Sequence, residues 1–77
     1  MTTRTSTTIL LADNSPDMRH GIRHSLETEG YHVIDTDSAR SALRLARYKR
    51  PDMIILDALL HDMSGYELCT HMRTLPF

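Results

Sequence analysis

Two short apolar runs, each ending on an aspartate, constrain this chain more than any other feature. Ile9-Leu10-Leu11-Ala12 runs into Asp13, and Met53-Ile54-Ile55-Leu56 runs into Asp57. Neither run alternates apolar with polar residues, so each predicts a strand covered on both faces, as in a parallel sheet, rather than an antiparallel strand with one wet face. Between and after them the period changes. Ser15-Pro16-Asp17 supplies a capping hydroxyl, a ring suited to the first helical turn and an acid where the helix dipole favours one, so helix 1 starts there. Met18, Ile22, Leu26 and Glu29 follow on one stripe, with Arg19, Arg23 and Glu27 off it. Gly30 is placed to end the helix in a left-handed turn.

Tyr31 to Asp35, centred on Val33 and Ile34, predicts a second strand. Asp37 or Ser38 then caps helix 2, whose Ala39, Ala42, Leu43 and Ala46 share one face while Arg40, Arg44 and Arg47 share the other. Pro51 requires that helix to stop before it. The third strand is read as Met53 to Asp57 and a loop as Ala58 to Ser64. Leu68, Met72 and Leu75 mark helix 3. Strictly alternating strands and helices imply an α/β fold with parallel strands and right-handed crossovers.

At 77 residues the chain holds one domain at most, and a chain this short buries only about 60% of its unfolded surface. Its 9 Lys and Arg against 10 Asp and Glu leave a net charge of −1, so no global field draws it to nucleic acid or an anionic membrane. The apolar run at 9–12 is too short for a signal-peptide core or a membrane span. Cys69 has no second thiol with which to pair, which fits a reducing cytoplasm, and it reads as a small half-buried residue. The methionines at 18, 53, 63 and 72 read as core fillers.

Parallel strands finish at one edge of their sheet, so Asp13 and Asp57 would face the same crevice if their strands are neighbours. Two converging carboxylates repel unless a cation lies between them, and an oxygen-only, water-accessible site suits Mg²⁺. Other chemistry is poorly served. His20 and His24 are four apart but have no third ligand at zinc spacing, and the turn from Asp13 to Pro16 has no glycine to admit a pyrophosphate. An aspartyl-nucleophile hydrolase of the haloacid dehalogenase type would want a second Asp two residues after the nucleophile. Here Asp13 is followed by Asn14-Ser15 and Asp57 by Ala58-Leu59. The cations at 40, 44, 47, 49 and 50 read as a solvated helix face.

The run from Ile9 through Asp13-Asn14-Ser15-Pro16 to Arg19 is similar to the opening of response-regulator receiver domains. Pro51 to Asp57, followed by Asp62-Met63-Ser64-Gly65-Tyr66-Glu67-Leu68, resembles that family's phosphoacceptor strand, loop and third helix, and Glu29 to Val33 and Ala42-Leu43 fall where the pattern places them. The resemblance implies a flavodoxin-like doubly wound sheet, of which this chain holds the first half, β1-α1-β2-α2-β3-α3 in strand order 2-1-3. It implies a two-component signalling module rather than an enzyme. Asp57 would take a phosphoryl group from a histidine kinase or phosphotransfer protein, and Mg²⁺ would be held by Asp13, Asn14, Asp57 and the backbone carbonyl of Leu59.

Asn14 stands at the family's second acidic position and offers a neutral oxygen, so Mg²⁺ should bind less tightly there than among three carboxylates. That feature supports the alternative of a degenerate receiver acting through protein contacts alone. His61 stands where the family usually has proline, freeing a backbone donor and placing an imidazole within possible reach of the site. The chain stops at Phe77, whereas the resemblance implies two further strands and helices carrying a switch Ser or Thr and a phosphoryl-pairing lysine. The expectation is therefore a partial receiver over 9–77 behind a flexible tail at 1–8. Its exposed third strand should draw two copies into a homodimer.

Overall fold

The computed structural model describes residues 7–75. Its elements are β1 (Thr8–Ala12), α1 (Pro16–Thr28), β2 (His32–Thr36), α2 (Ala39–Lys49), β3 (Met53–Leu56) and α3 (Gly65–Met72). The three strands form one sheet in the order β2-β1-β3, with β1 parallel to both neighbours. Leu10 is in register with Ile34 on one side and Ile54 on the other. The α/β architecture is as the alternation of elements predicts, and the 2-1-3 order is as the family resemblance implies.

Each helix opens on a serine whose hydroxyl accepts a backbone N–H three residues ahead: Ser15 from Met18 at 3.3 Å, Ser38 from Ser41 at 3.0 Å and Ser64 from Glu67 at 3.1 Å. These bonds satisfy donors that the first helical turn otherwise leaves orphaned. Gly30, with φ 95°, turns the chain just past the C-cap of α1 at Glu29, and α2 is capped by Arg50, which adopts a left-handed φ of 45° directly before the buried Pro51.

β1 is the middle strand, and Ile9, Leu10, Leu11 and Ala12 are all buried. Leu10 and Ala12 pack with Ala39, Ala42 and Ala46 of α2 and with Leu60 and Leu68. Three alanines on one face of α2 bring its backbone close to the sheet, and burial of each large aliphatic side chain contributes about 1.5–3 kcal/mol. α1 covers the opposite face, against β1 and β2.

The structure corrects several boundaries. Of the expected tail at 1–8, residues 1–6 lie outside the described residues, while Thr7 and Thr8 are ordered into the sheet. The Thr7 carbonyl accepts from His32 N–H at 2.9 Å, and Thr8 is the first residue of β1. β2 runs one residue later than predicted, leaving Tyr31 outside and including Thr36. Asp57 lies just past β3, and Leu75 lies past α3 although it still packs on the core.

β3 is not covered on both faces. Met53 is 54% exposed and Ile54, Ile55 and Leu56 are only half-buried, and among the described residues β3 has a paired neighbour on one side alone. Met18 is exposed, since α1 buries none of its residues, so Met18 and Met53 are not core fillers, whereas Met63 and Met72 pack against the core. Leu60, inside the predicted loop, is buried.

Candidate functional site

The carboxyl edge of the sheet brings the two aspartates together. Ala12 is in register with Leu56, so the next residue of each strand, Asp13 and Asp57, emerges at the same level. Asp13 is nearly buried: its N–H donates to the Thr36 carbonyl at 3.1 Å, and its Oδ1 accepts from Ser15 N–H at 2.8 Å. This last bond is an Asx turn, which fixes the carboxylate over the start of α1. Asp57 donates its N–H to the Ala12 carbonyl at 2.8 Å, tying it to β1 beyond the end of β3.

The Asp57 carboxylate is oriented by backbone. Its Oδ2 accepts from Asn14 N–H at 3.4 Å and its Oδ1 from Leu59 N–H at 3.2 Å, so the turns after both strands point donors at it. Asn14 thus reaches the site through its main chain, while the residue itself is exposed. The loop after Asp57 is closed by a bridge between Leu59 and Ser64 and by Gly65 N–H donating to the Ala58 carbonyl at 2.9 Å. A Cβ on Gly65 would stand 2.2 Å from the Asp57 carbonyl oxygen, so only glycine lets α3 begin this close to the aspartate.

Two anchors around the site were not read from the sequence. Arg19 and Arg23, which sit off the apolar stripe of α1, both reach Asp35 on β2. Arg19 pairs through Nε at 3.0 Å and also donates from Nη1 to the Asp13 carbonyl at 2.9 Å. Arg23 is held above its ordinary pKa, first by its hydrogen bond to Glu27 and then by the charges of Asp35 and Glu27, against the opposing effect of partial desolvation.

The second anchor is Asp62, whose two carboxylate oxygens accept from Ala39 N–H at 2.8 Å and Arg40 N–H at 3.0 Å at the start of α2. Those bonds hold its pKa below the ordinary value, with the nearby His61 adding to the effect. The partners are 23 and 22 positions away, so no local pattern could announce them. His61 is exposed and, among the described residues, makes no hydrogen bond to Asp13 or Asp57.

The donor set suits a hard cation. Asp13 and Asp57 bring two carboxylates to this edge, an all-oxygen pair of the kind Mg²⁺ takes, while Asn14 and Leu59 meet the Asp57 carboxylate through their backbone N–H groups. Among the described residues no three His, Cys, Asp or Glu side chains cluster for a metal, so the Asp13–Asp57 edge offers two carboxylates and no third. Cys69 is free and half-buried. Among the described residues no helix is long and apolar enough to cross a membrane.

A parallel α/β sheet with paired aspartates at its carboxyl edge, one of them addressed by backbone donors from two turns, defines a site on the pattern of the doubly wound folds. The chain belongs to the response regulator receiver domain family, whose model matches residues 9–76. It is 37% identical over 67 residues to the transcriptional regulatory protein KdpE of Mycobacterium tuberculosis, covering 87% of this chain and 30% of that protein. It is 34% identical over 65 residues to the alkaline phosphatase synthesis transcriptional regulatory protein PhoP of Bacillus subtilis, covering 84% and 27%. Among solved structures it superimposes on the chemotaxis response regulator CheY4 of Vibrio cholerae with a TM-score of 0.88 and 33% identity, covering 91% of this chain and 58% of that one. The chain thus spans under a third of the two curated regulators' length.

Proposed function

We propose that this chain is the phosphoacceptor part of a cytoplasmic two-component response regulator. In this reading Asp57 accepts a phosphoryl group from a phosphohistidine of a histidine kinase or phosphotransfer protein. The observation that carries it is the convergence of Asp13 and Asp57 with two backbone N–H groups on the Asp57 carboxylate. A carboxylate oxygen of Asp57 attacks phosphorus in line, the bond from phosphorus to the donor nitrogen breaks, and its electron pair leaves with the imidazole. Mg²⁺, when held by Asp13, Asn14, Asp57 and the Leu59 carbonyl, supplies charge neutralisation on the transferring group. The N–H groups of Asn14 and Leu59 keep the carboxylate oriented, and the nearly buried Asp13 holds its place through Ser15.

The test is incubation of the full-length gene product with acetyl phosphate and Mg²⁺, read by mass spectrometry. One phosphoryl group should be gained, and Asp57→Asn should gain none. Uptake that persists in Asp57→Asn would overturn the assignment. Absence of uptake in the unaltered protein, restored by Asn14→Asp, would favour the degenerate receiver that acts through protein contacts alone.

The 77-residue polypeptide further pairs with a second copy of itself. The basis is β3, whose outer edge has no neighbour among the described residues and lies beside an apolar groove lined by Ile54, Leu56, Ala58, Gly65, Tyr66 and Cys69.

A further inference from the structure

α2 carries Arg40, Arg44, Arg47 and Lys49 with no acidic residue among its 11 positions, and Arg50 at its C-cap extends the run. All five are exposed. The ion pairs among the described residues are Arg19–Asp35, Arg23–Asp35 and Arg23–Glu27, so no α2 cation has a carboxylate within pairing distance there. A helix face that merely meets solvent gains from mixing signs at three- and four-residue spacing. Here Arg40, Arg44 and Arg47 repeat like charge at those spacings, which weakens the helix slightly.

Those three arginines span about 10 Å of helix axis. They surround a shallow cavity of about 340 Å³ whose remaining walls are Leu43 and Tyr48. Leu43 is half-buried and forms an apolar floor, while Tyr48 is 77% exposed, an aromatic ring with no covering partner among the described residues. Arginine and tyrosine around an apolar floor is the composition in which protein interfaces concentrate their binding energy.

We propose that this face of α2 docks an acidic amphipathic helical segment of a partner protein. Carboxylates four and three residues apart on such a segment match the spacing of Arg40, Arg44 and Arg47, and each guanidinium can take one in a bidentate pair. An apolar side chain between them meets Leu43 and the Tyr48 ring. Nucleic acid, the other common polyanion, fits less well. The whole chain nets −1 despite this face, so the rest of the molecule repels an extended polyanion. Five cations also fall short of the roughly 6–10 phosphate contacts of strong duplex binders. A short acidic segment senses little beyond the patch, because screening acts over about 8 Å at physiological salt. The proposal does not depend on phosphorylation at Asp57.

The probe is a fluorescein-labelled synthetic helix with glutamates spaced four and three apart around one leucine, titrated by anisotropy with the full 77-residue chain. Saturable binding that weakens as salt rises is expected. Arg44→Gln should weaken it on the order of tenfold. The triple change Arg40→Gln, Arg44→Gln and Arg47→Gln should abolish it, while Arg73→Gln at the end of α3 should leave it unchanged. Glutamine is nearly as good a helix former as arginine and these positions are exposed, so far-UV circular dichroism should stay constant across the series. Absence of saturable binding, binding retained in the triple variant, or tighter binding of a DNA duplex than of the acidic helix would each overturn the proposal.

Discussion

Gly65 and Asn14 show how single positions set what Asp57 can do. Gly65 lets the first turn of α3 rest on the Asp57 backbone, and a methyl group there meets main-chain atoms rather than a side chain that could swing away. Gly65→Ala should therefore cost about 1–3 kcal/mol, measured as a lower midpoint in urea. An unchanged midpoint would show that the loop relaxes freely. Asn14 contributes its main-chain donor whatever its side chain, so Asn14→Asp keeps the bond to Asp57 and adds one charge. Mg²⁺ affinity should rise by roughly 1–2 kcal/mol, about tenfold, given how carboxylate number tunes such sites. Equal affinities in a calorimetric titration would place the residue 14 side chain off the metal.

At the scale of elements, the predicted behaviour centres on Asp62, which ties the loop after Asp57 to the first turn of α2. Asp62→Ala should lose about 0.5–2 kcal/mol of stability, as loss of other helix caps does. Because its carboxyl titrates lower in the folded chain than in the unfolded one, ionised Asp62 stabilises the fold above its ordinary pKa, and that contribution disappears as pH falls through the depressed value. The stability gap between Asp62→Ala and the unaltered chain should thus narrow as pH falls below about 4, close only below the depressed value, and be restored near neutrality. A gap independent of pH would assign the effect to packing alone.

The Ser15 cap, the apolar runs and the α2 alanines were legible in the sequence because each acts within a few residues, Ser38 was one of two cap candidates beside Asp37, and the Ser64 cap of α3 was not read. Asp62 on α2, Arg19 and Arg23 on Asp35, and the burial of Leu60 were not, since each depends on chain brought in from far along the sequence. The uninterrupted run from Met53 to Leu56 misled in one respect. It marks a strand with two apolar faces, but among the described residues β3 pairs on one side alone and both faces are not covered. Asp13 and Asp57 were legible as a pair only through the inference that β1 and β3 adjoin, which the register of Ala12 with Leu56 bears out.

For the whole molecule, the edge of β3 that is unmatched among the described residues should govern behaviour in solution. Its inner side pairs with β1 from Met53 to Leu56, and its outer side has no strand partner among the described residues and lies beside the groove between β3 and α3. Met53 and Tyr66 are largely exposed along this margin, 54% and 79% respectively, so apolar and aromatic surface sits next to a free strand edge. Such an edge is a template for another strand, and a small domain with stability of about 5–15 kcal/mol gains a substantial fraction of that by covering it. Two copies related by a twofold axis can set their β3 edges antiparallel and bury both grooves at once. The 77-residue polypeptide should therefore sediment as a dimer at micromolar concentration and dissociate on dilution. A charge on the groove wall, Tyr66→Asp, should shift it toward monomer without disturbing β1 or the buried core. A concentration-independent monomer that unfolds cooperatively would show instead that the edge is stable as it stands.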